Sequence, residues 1–287
     1  MHSSSTPVRL HRRALVTGAA TGIGLAVCQA LSLQEWHVLA TALPGQDSSA
    51  LRELQRTEVV EADLSDDSSL QALVDRVRRE PGLDAFISSA GIAIPGPLEA
   101  IPAEALREQF EVNAFAPVLL ARAILPLMRK SKGTLLFIGA GQGRVALPFG
   151  GPYAASKSAL AALTDALRAE TADSGITVTL LEPGAVRTGI LTDSSARALA
   201  QLEGMPQAMA DLYRSPLLAV LQRSEHAFRQ ALPVEVAARL IIRTLDSPNP
   251  PPRRLVGRDA LLLAAVASLP ARWRARLVRR LMRVPKA

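Results

Sequence analysis

Thr17-Gly-Ala-Ala-Thr-Gly-Ile-Gly24 is the stretch of this sequence that decides the fold. The apolar run before it, Arg13–Thr17, predicts a buried strand, and the apolar run after it, residues 25–33, predicts a helix. A strand, a glycine-rich turn and a helix in this order place backbone N–H groups and a helix N-terminus opposite a phosphate group. The glycine pattern alone is common, but with both flanks present it predicts a phosphate-binding turn.

Each glycine of the turn has an expected purpose. We expect Gly18 to allow the tight turn, Gly22 to let the backbone approach the ligand, and Gly24 to pack the helix against the strand. A dinucleotide site of this kind often has an acid about twenty residues further on, at the end of the second strand, to bind a ribose. The residues there offer neither an acid to favour NAD nor an arginine to favour NADP: they are Thr41, Ala42, Leu43 and Pro44.

Short apolar segments alternate with longer amphipathic ones along the rest of the chain. The short segments predict strands and the longer ones helices. Such alternation is typical of a parallel sheet with helices on both faces, so we predict the α/β class, a three-layer Rossmann-type doubly wound parallel sheet in a single domain. The predicted strands after the first span 37–41, 59–63, 83–91, 133–138 and 176–181, and the predicted later helices span 68–79, 105–128, 154–171 and 234–245.

We place the nucleotide-binding domain at residues 1–252, with a frayed lead-in over residues 1–13. Residues 189–232 interrupt the alternation just after a predicted strand, where a substrate pocket and its lid usually lie. The plain alternative is two extra helices that cover the sheet, and both can hold together. Residues 253–287 form a basic C-terminal extension.

The charge of the chain is concentrated in that extension. The formal net charge is +7, yet residues 253–287 carry ten Lys and Arg against one acid, Asp259, and residues 1–252 carry 23 basic and 25 acidic residues. With only 3% aromatic residues as well, this composition argues against a nucleic-acid partner. One cysteine, Cys28, and four scattered histidines give no metal-ligand spacing, so we expect no metal site; the single cysteine fits a reducing, cytoplasmic compartment.

Two interpretations of the extension stay open. Residues 260–269 are apolar but too short to span a bilayer, and residues 272–283 alternate arginines with Trp273, Leu277 and Leu281 at helical spacing, with Val284 continuing the pattern. A basic amphipathic helix of this kind binds membrane surfaces, which would make residues 260–284 a peripheral membrane contact. Alternatively, its apolar side packs over the substrate pocket or a neighbouring subunit, and we favour this packing slightly over membrane binding.

A second motif carries the chemistry. In Gly151-Pro-Tyr-Ala-Ala-Ser-Lys157, Tyr153 and Lys157 lie one helical turn apart and share a face. A phenol beside an ammonium group ionises more easily, which suits it to proton transfer near neutral pH. A pair of surface residues is the simpler interpretation of this spacing alone.

Taken together, the motifs resemble the short-chain dehydrogenase/reductase family over residues 12–250. Residues 143–153 and the basic extension are similar to its hydroxysteroid and retinol dehydrogenase branch. The matching residues, in family order and spacing, are Thr17, Gly18, Gly22, Ile23, Gly24, Asp63, Ala90, Gly91, Asn113, Tyr153, Lys157, Pro183, Gly184 and Thr188.

The resemblance implies hydride transfer between NAD or NADP and an alcohol or ketone carbon, in a homodimer or homotetramer. Tyr153 would be the general acid or base, Lys157 would lower its pKa and bind the nicotinamide ribose, and Asn113 would hold a water in the proton relay. The remaining implied cofactor contacts are Thr21, Gly22 and Ile23 in the turn, Asp63 and Leu64 at the adenine, Ala90 and Gly91 at the ribose, and Pro183, Gly184 and Thr188 at the carboxamide end.

Two departures from the family pattern matter. Ser88-Ser89 replaces Asn-Asn before Ala90-Gly91, and there we expect the turn to survive with altered contacts. Ala140 stands where the family has its catalytic serine, and losing such a donor typically costs on the order of 10²–10³ in rate. Three interpretations stay open: a slower enzyme, a replacement donor in the substrate-facing Gln142, or a cofactor site without ordinary carbonyl chemistry.

We therefore predict an NAD(P)-dependent oxidoreductase that interconverts an alcohol and a ketone or aldehyde on a fairly apolar substrate. The alternative is a cofactor-binding protein with lost or altered catalysis, used as a sensor or scaffold or for a non-redox reaction.

Overall fold

A computed structural model gives the structure of residues 11–282. Within that range seven strands form one parallel sheet in the order β3-β2-β1-β4-β5-β6-β7. This confirms the predicted doubly wound sheet. The strands are β1 Arg13–Thr17, β2 His37–Ala42, β3 Thr57–Glu61, β4 Ala85–Ser88, β5 Thr134–Ile138, β6 Thr177–Pro183 and β7 Arg253–Val256.

The helices form a layer on each face of the sheet. On one face, Val27 and Leu31 pack with Ile241 beneath β1 and β2. On the other, Leu73, Leu120 and Leu160 pack with Phe86 and other strand residues. The helices are α1 Gly22–Leu33, α2 Ser49–Arg52, α3 Asp67–Arg78, α4 Ala103–Phe110, α5 Ala116–Ser131, α6 Gly151–Glu170, α7 Ile190–Glu203, α8 Gln207–Arg229, α9 Val234–Leu245, α10 Arg258–Ala267 and α11 Ala271–Leu281.

The strand order reverses between β1 and β4, which are neighbours in the sheet although β2 and β3 separate them in sequence. Loops leaving the carboxyl ends of two such strands diverge to opposite faces and leave a crevice between them. Both strands are wholly buried, as their apolar composition predicts. The topology therefore places the ligand-binding edge of the sheet beside the glycine-rich turn.

Several predicted boundaries are wrong at this edge. The third strand ends at Glu61, so Asp63 lies beyond it, and the fourth ends at Ser88, so Ala90 and Gly91 have left the sheet. Backbone that leaves the sheet here is free to line the crevice. Residues 1–10 of the predicted frayed lead-in, residues 1–13, lie outside the described residues. Its last residue, Arg13, belongs to β1.

The helix predicted at 105–128 is interrupted. A π-helical turn, Glu111–Phe115, separates α4 from α5 and contains Asn113. Such single π turns occur often at functional sites. The combined span Ala103–Ser131 is long and apolar enough to cross a membrane, but Leu120, Ile124 and Met128 are fully buried against the sheet, so it is a core helix.

The first residues of the C-terminal extension belong to the sheet. Arg253–Val256, which the sequence analysis assigned to the extension, pairs with β6 as an edge strand. A four-residue strand that follows a proline-rich run and begins with two arginines has no periodicity to reveal it. Residues 283–287, including Val284 of the predicted amphipathic pattern, lie outside the described residues.

Replacing Ile124 by Ala tests the second helix layer. Ile124 is fully buried among the residues of α3, α5 and the sheet, so the cavity left behind is expected to lower the free energy of unfolding by about 2–5 kcal/mol. Urea denaturation measures it. Leu33→Ala, at a side chain that is 87% exposed, is the control and is expected to change stability by no more than about 0.5 kcal/mol. Equal effects of the two substitutions would contradict the packing described.

Candidate active site

A crevice of about 440 Å³ opens at the carboxyl ends of β1, β2 and β4. It brings together most of the residues that the sequence predicts for cofactor binding. Gly24 and Asn113 do not line it. The predicted residues that do are Gly18, Thr21, Gly22, Ile23, Asp63, Leu64, Ala90, Gly91, Tyr153, Lys157, Pro183, Gly184 and Thr188.

The glycine turn has the geometry that requires glycine. Gly18 and Gly22 have φ values of +61° and +57°, which side chains disfavour. A Cβ on Gly18 would come within 2.6 Å of the Cα of Ala90, and one on Gly22 within 3.0 Å of the Thr188 methyl group. Glycine thus keeps the crevice open and lets the N-terminus of α1, which begins at Gly22, face into it. This is a cradle for an anionic phosphate.

The far end of the crevice carries little charge. Thr41, Ala42, Leu43 and Gln46 line it after β2, as the sequence indicates. Asp63 also lines it, but its Oδ1 accepts hydrogen bonds from the backbone N–H and hydroxyl of Ser65 at 2.9 and 2.7 Å. The wall that would face a ribose is therefore uncharged after β2.

The turn after β4 survives its departure from the family pattern. The Thr17 hydroxyl accepts hydrogen bonds from the backbone N–H groups of Ser89 and Ala90 at 3.2 and 3.3 Å. A side chain on β1 therefore holds the neighbouring turn. Ala90 and Gly91 line the crevice as expected.

Tyr153 and Lys157 project from the first turns of α6, as predicted. Lys157 is 5% exposed, and its Nζ donates a hydrogen bond to the backbone carbonyl of Ile138 at 3.0 Å. Burial lowers the pKa of Lys157 to about 8 and raises the pKa of Tyr153 to about 12. The expectation that the pKa of Tyr153 is lowered is wrong for this structure, because desolvation of the phenol raises it. At neutral pH the phenol therefore keeps its proton.

Asn113 is fully buried and acts on the loop above the crevice. Its Oδ1 accepts a hydrogen bond from the Ile92 N–H at 2.9 Å, and its Nδ2 donates to the Ile92 carbonyl at 2.8 Å and to Ser156 Oγ at 3.0 Å. Ser156 in turn donates to the carbonyl of Tyr153 at 2.8 Å. The amide thus ties the loop to α6, and both of its polar side-chain atoms hydrogen-bond protein groups.

A second cavity, of about 390 Å³, meets the first at Tyr153. Ala140 and Gln142, which follow β5, both line it, as predicted for substrate-facing residues. Most of its other walls are apolar. They come from the loop before α6, from α7 and α8, and from α10 and α11, and include Leu147, Phe149, Ile190, Leu217, Val220, Leu263, Val266 and Val278.

The sequence analysis missed a buried ion pair beside this site. Glu182, whose side chain is 2% exposed, accepts bidentate hydrogen bonds from Arg144 Nε and Nη2 at 2.9 and 2.6 Å. Arg253 of β7 lies 3.7 Å from the same carboxylate. The pair joins the turn that carries Gln142 to the end of β6. The sequence offered one signal for this ion pair, namely a carboxylate in an otherwise apolar strand.

Asp259 was also missed as a site residue. It stands at the start of α10, and its Oδ2 accepts a hydrogen bond from the Ala185 N–H at 2.5 Å. A Cβ on Gly184 would overlap this carboxylate. The only acid of the C-terminal extension therefore holds the Pro183–Gly184 turn, which lines both cavities.

Comparisons with known proteins agree with this geometry. The family model described as short chain dehydrogenase matches residues 12–198. The chain is 34% identical over 181 residues to a 3-amino-tetrahydro-pyrrolizinone reductase of Xenorhabdus hominickii, a match that covers 61% of this chain and 62% of that relative. It is 30% identical to an NADPH-dependent 3-dehydrocapnine reductase of Ornithobacterium rhinotracheale, over 90% of this chain and 92% of the relative. A short-chain dehydrogenase structure from Streptomyces avermitilis, 26% identical, superimposes with a TM-score of 0.74 over 97% of this chain and 100% of that one.

Glu182→Gln tests the buried ion pair. Glutamine keeps the shape of the side chain but leaves two arginines facing a neutral group, so the free energy of unfolding is expected to fall by about 3 kcal/mol or more. Thermal and urea unfolding measure the change. Glu225→Gln is the control, because Glu225 is 65% exposed in its pair with Arg229 and is expected to contribute no more than about 1 kcal/mol. A loss at Glu182 as small as that at Glu225 would show that the pair does not hold the site.

Proposed function

Because the chain belongs to the short-chain dehydrogenase family, we propose that it interconverts an alcohol and a ketone or aldehyde on a fairly apolar substrate. The chain is an NAD(P)-dependent oxidoreductase of that family. One observation carries the finer proposal: Tyr153 lines both the crevice with the glycine cradle and the apolar cavity. A group at this junction can reach a cofactor and a substrate at once.

The crevice fits NAD or NADP. Gly18 and Gly22 leave the space that a pyrophosphate needs at the N-terminus of α1, and Thr188 lines the same crevice beyond Gly22. When bound, the nicotinamide cofactor supplies or takes up hydride. One relative is an NADPH-dependent reductase, and structures of the same fold were solved in complex with NADP and with NADH. The uncharged wall after β2 leaves both cofactors possible.

Tyr153 would act as the proton donor to the substrate oxygen. With its pKa raised to about 12, the phenol is protonated across the neutral range and can donate its proton to a substrate oxygen. Lys157 keeps a positive charge below its pKa of about 8, close to the Gly91 backbone. The charge would stabilise anionic groups in the crevice. Asn113 and Ser156 hold α6 and the Ile92 loop in place for this transfer.

Gln142 supports activity without the family's serine. Ala140 offers only a methyl group, but Gln142 lines the same cavity as Tyr153, and an amide N–H can donate to a developing oxyanion. Two alternatives compete with this function. One is a cofactor-binding protein without redox turnover, which Ala140 motivates, and the other is a non-redox reaction in which Tyr153 acts as acid or base alone.

Kinetic comparison of three variants tests the proposal. Wild type is expected to oxidise NADPH or NADH with an apolar ketone, Tyr153→Phe to lower kcat/KM by about 10²–10⁴, and Gln142→Leu to lower it by about 10²–10³. Tyr213→Phe is the matched control, because Tyr213 is the only other tyrosine and its hydroxyl bonds Glu99 on the surface. Nicotinamide absorbance at 340 nm follows the reaction.

The opposite pattern favours the alternative. A wild type that binds cofactor but turns over no ketone, together with an Ala140→Ser variant that gains activity, would contradict the proposal. It would leave a cofactor-binding protein whose chemistry was lost at one position.

The surroundings of the enzyme are also proposed. A homodimer or homotetramer fits the family resemblance. It also fits two exposed apolar side chains: Phe115, in the π-helical turn before α5, is 47% exposed, and Leu163, on α6, is 36% exposed. A cytoplasmic location fits the single cysteine, which is buried and unpaired. Light scattering on the purified protein measures the assembly.

The extension packs over the cavity and still presents a basic apolar surface. Val278 and Met282 of this segment are buried and line the substrate cavity, in agreement with the interpretation that the apolar side of the extension packs over the pocket. Away from the cavity, Trp273 is 65% exposed among exposed arginines, and Leu281 at the edge of the cavity is 41% exposed. We propose that this outer side, within residues 260–284, binds anionic membrane surfaces peripherally.

Flotation with vesicles tests membrane binding. Full-length protein is expected to float with phosphatidylserine vesicles and not with phosphatidylcholine vesicles. The substitutions Arg272→Gln, Arg276→Gln and Arg280→Gln together are expected to weaken binding by about 100-fold, at about 1 kcal/mol for each arginine. Truncation at Pro252 is unsuitable because it removes β7. Equal flotation of wild type and variant would rule out this surface.

A further inference from the structure

Arg223 is a cation that faces the apolar substrate cavity. Arg223 lies on α8, and it lines the cavity together with Val220 and Ala227. These residues are three and four positions from it, so they share one face of the helix. Among the described residues of the lining, Asp259 is the only other charged one.

Asp259 does not neutralise this cation in the structure. Its carboxylate is bound by the Ala185 N–H and packs against Gly184 and Gly257. On the same helix, the carboxylate of Glu225 pairs with Arg229. Across residues 11–282, Arg223 itself takes part in none of the ion pairs, and the residue as a whole is half-buried.

The exposure of residues along α8 increases toward its C-terminus, which places Arg223 near the mouth of the cavity. At the inner end, Leu217 and Val220 are 0% and 6% exposed, whereas Ala227, one turn beyond Arg223, is exposed. Leu262 and Leu281, which also line the cavity, are 55% and 41% exposed. The cavity thus runs from Tyr153 and the buried apolar wall to an open end that carries a cation.

A half-buried arginine without an ion-pair partner, beside apolar walls, favours an anionic ligand. Arginine binds carboxylate, sulfonate or phosphate oxygens through two parallel hydrogen bonds. The exposed arginines of α11, which supplies Leu281 to the same mouth, add a positive field that attracts anions.

We infer that the ligand of this cavity has an apolar body and an anionic oxygen group, and that Arg223 binds that group at the cavity mouth. As a substrate assignment this rests on the proposed function: the carbonyl lies at Tyr153 and the anionic group at Arg223. Arg223 would then select anionic over neutral ketones.

Binding of unreactive ligands tests the inference without turnover. Calorimetry would compare decanoate, decanesulfonate and decanamide, which share an apolar chain, on the full-length protein saturated with NADP. Wild type is expected to bind the two anions about 10- to 100-fold more tightly than the amide, because a hydrogen bond to a charged group is lost with the amide. Arg223→Gln is expected to remove that preference, and Arg223→Lys to keep part of it.

The control removes a cation from the same helix outside the cavity. Arg214 is exposed and does not line the cavity, so Arg214→Gln is expected to retain the full preference. Equal binding of decanoate and decanamide by wild type would overturn the inference. So would an anion preference that survives in Arg223→Gln, and so would one that is lost equally in Arg214→Gln.

A kinetic comparison separates this inference from the proposed function. It uses 9-oxodecanoate and its methyl ester as substrates with both nicotinamide cofactors. Turnover of both at equal kcat/KM would support the oxidoreductase and overturn the role of Arg223. Anion-selective binding without turnover of either would support the binding site and contradict the reductase. The expected result is turnover of both, with the carboxylate favoured about 10-fold or more and the preference lost in Arg223→Gln.

Discussion

The active site depends on one buried cation, Lys157, and on the backbone carbonyl that it binds. Its hydrogen bond to Ile138 fixes the first turns of α6 against the end of β5. Tyr153, one turn earlier, is thereby held where the cofactor crevice and the substrate cavity meet. Because burial opposes ionisation of the phenol, the same packing that positions Tyr153 also keeps it protonated.

Charged groups at the carboxyl edge of the sheet connect the active site with the C-terminal segment. Glu182 holds Arg144 and faces Arg253, which links the Gln142 turn with β6 and β7. Asp259 holds the turn after β6 from the start of α10. The buried carboxylate of Glu182 is costly unless it is paired, so Arg253 of the C-terminal segment helps Arg144 to stabilise it. The helices that follow then close the substrate cavity and carry its basic outer surface.

The sequence predicts what depends on local pattern and leaves out what depends on distant partners. The glycine turn, β1 and the Tyr153–Lys157 pair were readable because periodicity and φ requirements act within a few residues. The strand Arg253–Val256 was not, since its pairing with β6 has no local signature. The direction of the Tyr153 pKa was predicted wrongly because desolvation is set by the whole fold. The roles of Glu182, Asp259 and Arg223 required the tertiary structure, because their spacing to their partners or to the cavity is long or irregular.

Titration of Tyr153 tests the central claim most directly. In Tyr213→Phe protein without added cofactor, Tyr153 is the only tyrosine, so ¹³Cζ-tyrosine NMR reports its ionisation alone. The burial of the phenol at the junction predicts a pKa near 12, and hence no ionisation up to about pH 10, where an ordinary tyrosine is half ionised. Ionisation below about pH 9 would contradict a protonated phenol poised to donate, and would show that the charge of Lys157 outweighs burial at this site.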